Sequence, residues 1–140
     1  MGRVVSVERV GTERQQLRRT IAESLRRLME KPNLDEEAKD LAALIVFCLD
    51  AIAEGVDRSA MAWERRDYYL KADRFRREWA WTGRTADEMV ALIQQGDWDR
   101  LPGVLANLLP HFADVRVSKL VRPSSLWQGA YQRLLDEEAL

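Results

Sequence analysis

Ser59–Trp81, SAMAWERRDYYLKADRFRREWAW, is the stretch on which the reading of the fold turns. It holds three of the chain's five tryptophans and two of its three tyrosines in an unbroken helical pattern. At about 100° per residue, Tyr68, Ala72 and Phe75 fall within roughly 40° of the line through Met61 and Trp79, a core-facing stripe. Trp63, Leu70 and Trp81 cluster on the opposite side. Charged edges run between them: Asp67, Lys71, Arg74 and Glu78 on one, Arg66, Asp73, Arg77 and Arg84 on the other. The charges are spaced to pair at i,i+4 as Asp67–Lys71, Asp73–Arg77 and Arg74–Glu78, each pair adding only about 0.2–0.5 kcal/mol.

A helix with two apolar faces has to bury both, inside its own bundle or against a partner. The Met61–Trp79 line is the internal one on this reading. The sparser Trp63, Leu70, Trp81 line is the contact surface, although such stripes more commonly serve as core. Aromatic side chains and arginine are the types enriched at interfaces. The expected partner-binding residues are therefore Trp63, Arg66, Tyr69, Leu70, Arg77 and Trp81.

Working outward, 140 residues suit one domain with a core of its own. An apolar fraction of 46% and a charged fraction of 32% describe a folded, soluble chain. A net charge of −1 supplies no global field for phosphate or anionic lipid. Of 22 basic residues, 18 are arginine. That excess fits interface use of guanidinium groups, and equally a codon bias. The single cysteine, Cys48, excludes an internal disulfide or a cysteine-cluster metal site, and suits a reducing, cytoplasmic setting. The longest apolar run, Leu41–Leu49, is nine residues, too short to span a membrane. Gly2 with Ser6 fits the bare myristoylation pattern, which is short enough to match by chance.

Toward the N-terminus, the valine-rich residues 3–10 read as a short strand or arm. Thr12 with Gln15 forms a capping box for a helix over Glu13–Lys31, with Leu17, Ile21, Leu25 and Leu28 buried and Arg19–Glu23 and Arg26–Glu30 paired outside. Pro32 breaks it. Asn33 with Glu36 opens a second helix, Leu34–Glu54, apolar nearly all round in its middle and closed by Gly55. Cys48 reads as a small core residue there, and Asp50 should reach an arginine or the surface.

The central helix would start at Asp57 or Ser59 and close at Thr82-Gly83. Thr85 with Glu88 caps a short helix that buries Met89, Leu92 and Ile93 and ends at Gly96. Asp97 or Asp99 starts the next, with Pro102 in its first turn and Leu109-Pro110 as its stop. Val115, Val117 and Val121 alternate as in a strand that could pair with residues 3–10, and an ordered loop fits them equally. Pro123 to Gln128 opens a final helix docked by Trp127, Ala130, Tyr131, Leu134 and Leu135, with acidic Asp136, Glu137 and Glu138 at its end. The expected fold is all-α: a single-domain bundle of five to six helices over residues 1–140, with a short β-ribbon of residues 3–10 and 115–121 as an option.

The chemistry-bearing patterns are missing. The one histidine, His111, has no nucleophile assigned to it by sequence. There is no Glu-x-x-His, Gly-rich phosphate loop, G-x-S-x-G or H-E-x-x-H. The paired carboxylates sit at helix starts, where the helix dipole accounts for them. No cofactor, metal or catalytic residue is expected. The expected function is a non-enzymatic protein-interaction module, a homodimer or a subunit of a larger assembly. The rival is nucleic-acid binding by the Arg/aromatic face of residues 58–84, through Arg65, Arg74, Arg76, Arg77 and Arg84. Five acids in the same region and a pI of about 5.9 weigh against it.

Overall fold

The computed structural model describes residues 7–117 and 122–139. Five α-helices run in order: α1 (Val7–Glu30), α2 (Glu36–Glu64), α3 (Tyr69–Gln95), α4 (Leu101–Leu108) and α5 (Ala130–Glu138). Short 3-10 turns occupy Trp98–Arg100, Leu109–Phe112 and Ser124–Leu126. The all-α expectation holds, and no strand occurs among the described residues.

α2 is the axis of the bundle. It packs against α1, α3 and α5. Leu41, Ala42, Ala43, Ile45, Val46 and Leu49 are all fully buried, as a helix apolar around most of its circumference requires. Its N-terminus is capped by Asp35, whose carboxylate accepts from the Ala38 amide at 2.8 Å. That amide, then Lys31 at 2.9 Å, holds the Asp35 carboxyl below the usual carboxylate range.

No β-ribbon is seen among the described residues. Residues 7–10 belong to α1, 115–117 have no regular structure, and 3–6 and 118–121 lie outside the described residues. The spacing 7, 10, 14, 17, 21 continues the three-four register of Leu17 and Ile21, and that longer periodicity outweighs the local valine alternation. Thr12 is accordingly inside the helix and is not its cap.

The central stretch is the larger correction. It is not one helix. α2 passes through Gly55 and ends at Glu64, and α3 starts at Tyr69, so Ser59–Trp81 folds as the corner of a helical hairpin. The Tyr68 amide donates to the Trp63 carbonyl at 2.9 Å and the Asp67 amide to the Glu64 carbonyl at 3.0 Å. Asp67 sits at φ 63. This is a Schellman closure with aspartate in the left-handed position that glycine usually fills. α3 then continues through Gly83, absorbing Thr85 and Glu88, and ends at Gly96. There the same two hydrogen bonds recur, from Asp97 to Leu92 at 2.9 Å and from Gly96 to Ile93 at 3.2 Å.

Arg76 staples the hairpin. Its guanidinium reaches both Glu64 oxygens at 2.9 and 3.0 Å and Asp57 at 3.2 Å. At the other end of the bundle, the Asp40 carboxylate accepts from the Gly129 and Tyr131 amides at 3.2 and 3.0 Å, so α2 itself caps α5. Trp127, Ala130 and Leu134 bury α5 as its spacing predicts. Glu23 turns inward rather than pairing with Arg19, and accepts from Arg122 at 3.1 Å.

Candidate interaction surface

Because the chain turns at Arg65–Tyr68, residues placed on opposite sides of one helix come face to face across two. Trp63 of α2 meets Phe75 of α3 edge-on, with centroids 4.9 Å apart. From Phe75 the rings continue to Trp79 at 6.3 Å, to Trp81 at 6.1 Å, and to His111, stacked on Trp81 at 3.7 Å and 9°. The result is a ladder of five rings along one flank of the bundle. Phe75, Trp79, Trp81 and Trp63 are half-buried, so each keeps part of its surface open to water.

At the corner the ladder opens into a groove of about 900 Å³ lined by Trp63, Tyr68, Tyr69, Leu70 and Phe75. Tyr69 and Leu70 are 60% and 61% exposed. A cleft of about 350 Å³ lies further along, lined by Arg18, Trp79, Trp81 and His111, and Glu78 borders both spaces.

Cations gather on this flank. The Lys71 ammonium stands 4.5 Å over the Trp63 ring, and Arg66 lies over Tyr68. Arg14 lies over Phe75 at 4.9 Å and Trp79 at 5.5 Å, and its buried Nε has no hydrogen-bond acceptor. Burial lowers its affinity for the proton, and Glu78 opposes that shift. Arg18 grips Asp114 with both terminal nitrogens, at 3.0 and 2.6 Å, and the His111 carbonyl at 2.9 Å. The His111 imidazole is pushed below its ordinary value by burial, then by Arg18.

Of the six residues expected to bind a partner, Trp63, Tyr69 and Leu70 come together in the groove. Arg66 is on its corner, and Trp81 lines the neighbouring cleft. Arg77 does not join them: it is exposed on α3, paired with Asp73 one turn back. The pairing Asp67–Lys71 is replaced by Lys71 over Trp63 and by the Tyr69 hydroxyl donating to Asp67 at 3.3 Å. Met61 and Tyr68, assigned to the internal stripe, are 43% and 50% exposed.

Of the five arginines in the nucleic-acid set, Arg76 is committed to Glu64 and Asp57, and Arg77 to Asp73. Arg65, Arg74 and Arg84 have no ion-pair partner among the described residues. Arg14 was missed, yet it left a signal, because it occupies the buried register of α1 ahead of Leu17 and Ile21.

Cys48 is a core residue whose thiol burial pushes up to about 12. Asp50 is exposed. Among the described residues no group of His, Cys, Asp and Glu is arranged to hold a metal ion, and no helix is long and apolar enough to cross a membrane. Comparison with protein-family models, curated proteins and solved structures found no match to this chain.

Proposed function

We propose that the chain is a non-enzymatic helical interaction module that holds a protein partner in the corner groove of the α2–α3 hairpin. The supporting observation is the groove itself: rigid half-buried rings at its floor, with Tyr69 and Leu70 standing exposed at its lip. Interface hot spots have this composition, large aromatics flanked by cations and set in a recess. A photo-reactive residue at Leu70 tests it. Crosslinking in cells should capture a defined protein, and Trp63→Ala should abolish the capture. Yields no higher than from the same residue at exposed Gln132 would refute the reading.

Nucleic-acid binding is the second reading, favoured by Arg65, Arg74 and Arg84, which are exposed and have no ion-pair partner among the described residues, with Arg74 lining the groove beside Tyr69. It requires oligonucleotide affinity that falls steeply with salt. Absence of binding to single- and double-stranded oligomers at low ionic strength would eliminate it.

A further inference from the structure

The corner groove is balanced in charge: Asp67 and Glu78 stand in its lining against Lys71 and Arg74. A strongly charged occupant would lose to one pair what it gains from the other, so the complementary partner is an uncharged one. Its specificity has to come from ring contacts and hydrogen bonds.

Its polar tips are donors. The Trp63 indole N–H and the Tyr68 hydroxyl line the groove with no hydrogen-bond acceptor among the described residues. The nearby Asp67 carboxylate is already engaged by the Tyr69 hydroxyl. An occupant should therefore bring main-chain acceptors and few donors. An added β-strand would need a sheet edge, and no strand occurs among the described residues. An α-helix spends its carbonyls on its own i→i−4 bonds. A polyproline II segment keeps every carbonyl free, and each proline lacks the N–H that would call for an acceptor. Its stiffness lowers the ordering cost of binding, and aromatic-lined grooves are where such segments dock. Trp63, Tyr68, Tyr69 and Phe75 supply four rings here. Lys71 over Trp63 and Arg66 over Tyr68 are spent on holding two of them.

We infer that the corner groove takes a proline-rich segment of another protein, lying in polyproline II form across these rings, with its carbonyls accepting from Trp63 and Tyr68. The four prolines of this chain are scattered singly, so a second copy cannot supply the segment. The inference rests on the groove being a protein-binding surface and adds the chemistry of the partner.

Titration of the full chain with uncharged peptides, followed by two-dimensional NMR, tests it. The probes are decaproline, a Pro-Pro-Leu-Pro repeat, and a glycine-serine peptide of equal length. At least one proline probe should bind, shifting the Trp63 indole N–H and the amides of Tyr69, Leu70 and Phe75. The glycine-serine peptide should leave them in place. Affinity should change less than about twofold between roughly 0.05 and 0.5 M salt, because no ion pair holds the complex. Tyr68→Phe and Trp63→Phe keep a ring and remove a donor. Each should weaken binding about fivefold, the net worth of one hydrogen bond, with wild-type circular dichroism. Tyr68 is half exposed, so its variant carries the test even if Trp63→Phe disturbs the packing on Phe75.

Proline probes that bind no better than glycine-serine overturn the inference, as does affinity that collapses with salt, or binding that a folded Tyr68→Phe leaves unchanged. If the Leu70 position still crosslinks to a protein while the proline probes fail, the groove is a binding surface for a segment of another conformation. If both fail, the groove reading and the inference fall together.

Discussion

Gly83 and Gly96 should answer to the same substitution with opposite signs. Gly83 lies in the interior of the 27-residue α3, and a Cβ built there meets nothing within 4 Å. Alanine is favoured over glycine in a helix interior by about 0.8–1.0 kcal/mol, chiefly because the unfolded chain loses freedom. With no clash to subtract, Gly83→Ala should stabilise the protein by about 0.5–1 kcal/mol, or roughly 2–4 °C for a domain of this size. Gly96 also has open space around it, but its φ is 68. A side chain there strains the left-handed backbone by about 1–2 kcal/mol, so Gly96→Ala should destabilise by about 1 kcal/mol after the unfolded-state gain is deducted. Urea unfolding followed by tryptophan fluorescence and by circular dichroism gives both values. If Gly83→Ala destabilises by 1 kcal/mol or more, Gly83 closes a helix as its sequence suggests, and the continuous α3 is wrong.

Three more outcomes can be checked. Asp40→Ala removes the acceptor for two amides at the start of α5 and should cost about 1 kcal/mol, with faster hydrogen exchange confined to α5. Asp50 has its carboxyl raised by burial and by four carboxylates, so folding disfavours its ionised form. That penalty exists at neutral pH and vanishes as pH falls below the unfolded value of about 3.9. Asp50→Asn should therefore stabilise at pH 7 by no more than about 0.5 kcal/mol, given its exposure, and should be neutral near pH 3. Finally, the buried Cys48 thiol, held at about 12, should react with a thiol reagent at pH 8 roughly a thousandfold more slowly in the native protein than in urea, and native labelling at a comparable rate would place it outside the core.

Helix closure shows where sequence is legible and where it is silent. Gly96 announced its Schellman closure because glycine is the usual residue in that conformation. Asp67 makes the same closure with a residue that also occurs inside helices, and nothing in its neighbours marks it. That one unannounced turn divided the central stretch, so a wheel drawn across it set Trp63 and Phe75 apart when they are in contact. Conversely, Gly55 and Gly83 look like stops and are not, because α1 and α3 pack along α2 and tertiary burial overrides a propensity cost of about 1 kcal/mol. The buried stripes of the first, second and last helices were readable, since periodicity there is uninterrupted. For the site, Trp63, Tyr69 and Leu70 could be selected by residue type. The roles of Arg14 and His111 depend on contacts across roughly 30–65 residues, which no local pattern encodes.

The way α2 acquires its three neighbours bears on how the protein comes apart. α1 and α3 are its immediate neighbours in sequence, joined to it by short turns, and both run along most of its length. α5 arrives from about ninety positions away and is fastened at its start by a single carboxylate. It can lift off and leave α1, α2 and α3 packed together. The first opening on the way to unfolding should uncover the Asp40 side of α2 while the aromatic flank and its groove stay shut.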